Sequence, residues 1–313
     1  MEYKDLGRTG IKVSKVGLGA WQFSDAWGVL DYEAARKTIS AALEAGINLI
    51  DTAAVYGRGT SETHVGRAIR ELGAREHVII ATKVPGDFLR AGDVVKAVQR
   101  SRERLGIDVI DILQMHWPPC WHNVPTCEYM RTLEKLVKEG LIRHIGVSNF
   151  PVKLLDEARQ CLSITDIVTT QNRYNLVERD AEKELLPYAL RNGIQVIAWS
   201  PLAKGLLTGK YTPENLPKFT DVRSNDPLYA PENAQQVMKL VNALREIGEK
   251  HGKTPGQVAL NWLIRRGVVP IPGAKNPEQA ISNAGAAGWS ISDDEEAKIQ
   301  AISDSLNISY VVW

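Results

Sequence analysis

The sequence predicts an α/β fold, a (β/α)8 TIM barrel with an N-terminal β-hairpin and extra C-terminal helices. Three observations predict it. Short apolar runs alternate with amphipathic helical patterns along the chain, making about eight strand–helix units, the number that closes such a barrel. No shift in composition divides residues 1–313, so the chain reads as one domain. Polar residues able to do chemistry stand at the ends of consecutive strands, where barrels of this kind build their sites. An open doubly wound sheet would need a glycine-rich phosphate turn, and Gly17-Leu-Gly19 lacks the third glycine and runs into a loop.

Taken in order, residues 3–6 and 11–16 flank Gly7-Arg-Thr-Gly10 and read as a hairpin. Strands are expected at 16–19, 47–51, 78–83, 109–116, 142–148, 167–172, 195–200 and 268–271. Helices are expected between them, the first capped by Asp31 and ended by Gly46. Pro151 sits at the first turn of a helix to Gln160, and another spans 181–192. A stretch rich in Pro, Gly, Asp and Asn runs from Pro201 to Pro231, long enough to read as a functional or disordered loop. Thr254-Pro-Gly-Gln257 and Ser292-Asp-Asp-Glu295 are helix-start signatures near the end of the chain. Arg100, Arg102 and Arg104 read as a solvated helix face.

Composition narrows the class. Hydrophobic residues make up 44% and charged residues 24%, with a net charge of +1, so nothing points to nucleic acid or a membrane surface. The polar start lacks the pattern of a signal peptide, and no apolar run is long enough to span a bilayer. Cys120, Cys127 and Cys161 form an odd set in a large chain, which predicts reduced thiols and a cytoplasmic protein.

The chemistry gathers at Asp51, Lys83 and His116, which end three consecutive strands, with Tyr56 on the loop after Asp51. A carboxylate next to an ammonium holds it charged, and the ammonium favours phenolate and brings a phenol toward useful acidity. His116 can hydrogen-bond a substrate oxygen beside Tyr56. Such a constellation suits polarising a carbonyl while something else delivers hydride. His116, Cys120, His122 and Cys127 are zinc-type residues, but their spacing matches no zinc pattern and no metal is expected. Trp27 and Trp121 read as packing, while Trp21 and Trp117, on loops at the mouth, read as pocket walls together with Tyr56 and His116.

From Tyr3 to Leu306 the chain resembles the aldo-keto reductase superfamily. The resemblance rests on Gly17-Leu-Gly-Ala-Trp21, Asp51-Thr-Ala-Ala-Val-Tyr56-Gly57, Lys83, His116-Trp-Pro118, Gly146-Val-Ser-Asn-Phe150, Ser200-Pro-Leu202 and Ile271-Pro-Gly273, in that family's order. It implies a catalytic tetrad of Asp51, Tyr56, Lys83 and His116, and NADP(H) extended across the mouth. It implies contacts from Ala20, Trp21 and Asp51, stacking of Trp199 on the nicotinamide, and carboxamide contacts from Ser148, Asn149 and Gln171. It further implies Ser200, Pro201, Leu202, Gly205 and Lys210 on the pyrophosphate, and Gly273, Lys275, Gln279 and Asn283 at the adenosine end, with Arg223 toward the 2′-phosphate. The implied reaction is NADPH-dependent reduction of aldehydes or ketones, with Tyr56 as general acid and a small carbonyl or alcohol as partner. The competing reading is a nucleotide-binding regulatory subunit like the potassium-channel β subunits, disfavoured because the domain begins at once. Substrate, oligomeric state and the tail Tyr310 to Trp313 are left open by the sequence.

Overall fold

A computed structural model of the chain describes residues 1–28, 31–87, 89–119, 123–212 and 214–308. It opens with an antiparallel hairpin, β1 (Tyr3–Asp5) and β2 (Lys12–Ser14), paired Lys4 to Val13. The main alternation follows as β3 (Leu18–Gly19), α1 (Tyr32–Glu44), β4 (Leu49–Asp51), α2 (Thr60–Glu71), β5 (Ile79–Val84), α3 (Ala91–Leu105) and β6 (Ile110–Met115). It continues as α4 (Thr126–Lys138), β7 (Ile142–Ser148), α5 (Val152–Gln160), β8 (Ile167–Arg173), α6 (Leu185–Arg191) and β9 (Gln195–Trp199). Then come α7 (Pro231–His251), α8 (Pro255–Arg265), β10 (Val269–Pro270), α9 (Pro277–Ala284) and α10 (Asp293–Asp304).

β3 to β10 form an eight-stranded sheet in sequence order, every neighbouring pair parallel. The sheet closes on itself. Gly17 and Gly19 donate their backbone N–H groups to the carbonyls of Pro270 and Pro272, at 2.9 and 3.0 Å. A Cβ on Gly19 would lie 2.7 Å from the Ile271 carbonyl oxygen, so the seam requires a residue without one. This is the (β/α)8 barrel that the sequence predicts.

Strand alternation sets up the interior. Leu49, Ala81, Ile112, Ile197 and Val269 form one buried cluster with Leu6 and Val13 of the hairpin. Two residues further along three of these strands stand Asp51, Lys83 and Gln114, so the period of two gives an apolar floor and then a polar layer. The intervening residues Leu113, Met115, Ile145 and Val147 face the helices in a separate cluster with Leu133 and Leu136. The hairpin covers the amino ends of the strands. Lys4 donates to the Gly267 carbonyl at 2.6 Å and Tyr3 to that of Gly46 at 2.9 Å, just ahead of β10 and β4.

Helix starts follow the expected chemistry. Asp31 accepts from the Ala34 N–H at 2.7 Å, and reciprocal capping boxes form between Thr254 and Gln257 and between Ser292 and Glu295. Three expectations need correction and a fourth is narrowed. Pro151 is the cap of α5 rather than part of its first turn. α6 starts at Leu185, because residues 180–182 form a separate 3-10 turn. The irregular stretch after Pro201 is ordered locally by 3-10 turns at Ala203–Thr208 and Pro227–Tyr229, pinned together by a Lys204–Asp226 ion pair. Arg104 is not simply solvated, since it pairs with the buried Glu62 on α2.

Reduced thiols are also overturned in part. Cys127 at the start of α4 and Cys161 at the end of α5 form a disulfide, with Cα atoms 4.9 Å apart. Counting cysteines gives no information about which pair the packing of two neighbouring helices brings together. Cys120, Trp121, His122 and the tail residues Tyr310 to Trp313 lie outside the described residues. No described helix is long and apolar enough to cross a membrane.

Candidate active site

The carboxyl ends of the strands open into a cavity of about 730 Å3, of the size that takes a cofactor or drug-sized ligand. At its base the fully buried Lys83 reaches from β5 to Asp51 on β4, with Nζ 2.5 Å from Oδ1. Its ammonium also donates to the Thr52 carbonyl at 2.8 Å and to the Tyr56 hydroxyl at 3.3 Å. Burial favours the neutral amine, but Asp51 and Tyr56 outweigh it and hold the lysine above its ordinary value. One ammonium thus joins the buried carboxylate to the half-buried phenol.

The phenol behaves differently from the sequence expectation. Burial pushes Tyr56 above its ordinary 10.0; the Lys83 cation offsets only part of that, and Asp51 opposes it. Tyr56 is therefore a neutral O–H donor near neutral pH. Beside it the His116 ring lies edge-on, with centroids 5.7 Å apart. Burial, and then the Lys83 charge, hold His116 well below the usual imidazole range, so it too is neutral. Trp21 stacks on Tyr56 at 5.9 Å and Trp117 on His116 at 6.4 Å, which gives this end of the cavity aromatic walls.

Next along the mouth, Asn149 and Ser200 hold left-handed backbone conformations, with φ of 60° and 49°. Such conformations in residues other than glycine cost energy and concentrate at functional sites. Asn149 donates from its side-chain amide to the His116 carbonyl at 3.1 Å and to the Ser148 hydroxyl at 3.0 Å, and accepts from the Trp199 indole N–H at 3.0 Å. Ser148 donates to the Gln171 carbonyl at 2.8 Å. The Arg173 guanidinium lies 4.9 Å from the Trp199 ring centre and pairs with Glu178. Trp199 is thus held both at its edge and over its ring.

Cations gather elsewhere along the cavity. Arg223 is engaged by Asp221 and by the Tyr211 hydroxyl at 2.9 Å, and Lys275 donates to the Trp27 carbonyl at 2.5 Å. Burial, then Arg223, lowers the Lys275 amine from its ordinary value. Lys210 is exposed at the rim. Gln279 accepts from the Lys275 N–H at 2.8 Å, and Asn283 donates to the Gly273 carbonyl at 3.2 Å.

Every residue that the sequence assigns to cofactor or substrate lines this one cavity; Lys83 alone of the named set stands behind the wall. What the sequence reading misses is the support. Gln114 and Gln171 both hold the second oxygen of Asp51, at 3.2 and 2.7 Å. Inward alternation two residues before His116 is the signal that would have found Gln114. Trp27, read as packing, lines the cavity edge-on to Trp21 at 5.3 Å and anchors Lys275. No sequence pattern signals that contact.

Comparison with known proteins follows the same outline. A model described as the aldo/keto reductase family matches residues 15–304. A Bacillus subtilis protein, aldo-keto reductase YhdN, is 36% identical over 97% of this chain and 94% of its own. An Escherichia coli NADH-specific methylglyoxal reductase is 34% identical over 96% and 98%. Among solved structures, glycerol dehydrogenase AKR11B4 from Gluconobacter oxydans is similar with a TM-score of 0.88 at 33% identity, covering 99% of both chains. A Klebsiella pneumoniae aldo/keto reductase in complex with NADP and acetate has a TM-score of 0.75 at 27% identity over 96% of each.

Proposed function

This chain belongs to the aldo/keto reductase family and is an oxidoreductase, and from that premise we propose that it reduces aldehydes and ketones to alcohols, reversibly, with NADP(H). The observation that carries the reading is the Lys83 ammonium shared between Asp51 and the Tyr56 hydroxyl at the base of the cavity. The cavity fits an extended dinucleotide: it runs from the fixed Trp199 ring to the Lys275 and Arg223 cations. Trp199, Ser200, Leu202, Gly205, Gly273, Lys275, Gln279 and Asn283 would hold the cofactor. Bound there, the reduced nicotinamide supplies a hydride to the carbonyl carbon.

The chain's own residues do the rest. Tyr56 meets the carbonyl oxygen as a neutral phenol and gives up its proton as negative charge develops there. Lys83 then stabilises the phenolate left behind, and Asp51 keeps Lys83 charged. His116, neutral because it is desolvated, orients the same oxygen without adding charge. The aromatic walls of Trp21 and Trp117 suit neutral carbonyls with apolar substituents.

The test is loss of NADPH absorbance with a panel of neutral aldehydes and ketones, run in parallel with NADH. Turnover of apolar carbonyls is expected. Tight cofactor binding with no turnover across the panel would overturn the reading in favour of a regulatory nucleotide-binding role.

A further inference from the structure

The polar layer of the barrel contains a residue that the tetrad does not use. Gln114 is fully buried on β6, level with Lys83 on β5 and with Gly146 on β7. Its Nε2 lies 3.2 Å from Asp51 Oδ2, the carboxylate oxygen that Lys83 does not take. Gln171 Nε2 donates to that same oxygen at 2.7 Å and lies 3.4 Å from Gln114 Oε1. Two amides and one carboxylate form a closed triangle.

Chemistry fixes which way the amides face. An ionised carboxylate only accepts hydrogen bonds, so both NH2 groups must turn to Asp51. The Gln171 amide therefore points its NH2 inward, and its Oε1 is the end left for the cavity that Gln171 lines. A carboxamide meeting it there can only donate. The fold also makes room for this arrangement: a Cβ on Gly146 would stand 2.8 Å from Gln114 Cγ and 2.2 Å from Thr169 Oγ1.

We propose that Gln114 is a positioning residue that completes the hydrogen bonding of Asp51 and holds the Gln171 amide oxygen toward the nicotinamide carboxamide. The inference rests on the carbonyl-reductase reading given above. Asp51 then serves two ends at once, tuning the proton donor through Lys83 and orienting the cofactor through Gln171. Removal of Gln114 should affect both.

The test is Gln114→Glu, which keeps shape and volume, beside Gln114→Leu. The charged groups beside the introduced carboxyl are Asp51 on β4 and Lys83 on β5, with Tyr56 joined to Lys83. His116 stands two residues further along the chain, and His144 lies on β7 one layer below, opposite Ile112. Protonated, the carboxyl can donate to Asp51; ionised, it repels Asp51 and cannot hold the Gln171 amide in place. kcat and KM with NADPH and a neutral aldehyde are measured from acid to alkaline pH, with the NADPH Kd followed by quenching of tryptophan fluorescence.

Gln114→Glu is expected to approach wild type at acid pH and to lose on the order of tenfold to a hundredfold in kcat as pH rises, with weaker NADPH binding in step. Gln114→Leu should show the loss at every pH. A Gln114→Leu enzyme that matches wild type in both kcat and Kd across the range would overturn the proposal, as would a Gln114→Glu loss that does not change with pH. If wild type itself turns over no carbonyl, the reductase reading fails. The NADPH Kd profile then decides the placement of Gln114 on the same two outcomes.

Discussion

The Lys275 ammonium donates to the backbone carbonyl of Trp27 at 2.5 Å, linking the turn before α9 to the loop after β3 across the cavity. Trp27 in turn packs edge-on against Trp21, which stacks on Tyr56. The cation proposed for the adenosine end is therefore one contact in a chain that reaches the Tyr56 phenol.

Lys275→Ala should weaken NADPH on the order of tenfold to a hundredfold and NADH much less, as expected for loss of a charge-assisted contact to a 2′-phosphate. Fluorescence titration with both cofactors measures it. Equal losses for the two would assign Lys275 to loop anchoring through Trp27 instead. The comparison matters because one relative in this family is named as NADH-specific.

Tyr56→Phe should leave cofactor affinity intact and lower kcat by several orders of magnitude, because among the described residues Tyr56 is the hydroxyl that the Lys83 ammonium reaches. Single-turnover rates with pre-bound NADPH provide the measurement. Near-normal turnover would remove the phenol from its role as acid.

Acid stability should be set in part by His116. Its folded pKa lies below the ordinary 6.5, so between those two values the unfolded chain binds one more proton than the folded one. Stability therefore rises with pH through that window and is lost as pH falls below about 6.5, by up to about 1.4 kcal/mol per pH unit for this group. His64 and His144, also lowered by burial, act in the same direction. Urea unfolding of the cofactor-free protein at several pH values, wild type against His116→Asn, reads the effect: the variant should show the shallower slope.

The Cys127–Cys161 bridge closes a loop across 34 positions, which chain entropy values at about 3–4 kcal/mol. Reductant should lower the thermal midpoint, and alkylation of the unfolded, unreduced protein should modify one of the three cysteines. Modification of all three would refute the bridge.

Sequence reading recovers this molecule best where one strand's pattern carries the information. Asp51, Lys83 and His116 are legible because each polar residue interrupts an apolar run at a predictable end. Relationships between strands are harder. Gln114 looks like one more alternating residue until the register with Lys83 and Gly146 brings it against Asp51. The Tyr56 shift could not be given its sign from composition, since burial and the Lys83 charge oppose one another and only their geometry decides. The disulfide and the Lys275–Trp27 contact join segments distant in sequence, and no local pattern encodes either.

The hairpin that seals the amino ends of the strands has a practical consequence. Tyr3 and Lys4 are anchored ahead of β4 and β10, at the end of the barrel opposite Tyr56 and Trp199. An affinity handle or fusion partner joined before Met1 would thus emerge on the far side from the cavity. Protein tethered to a surface through that point would present its mouth to the solution.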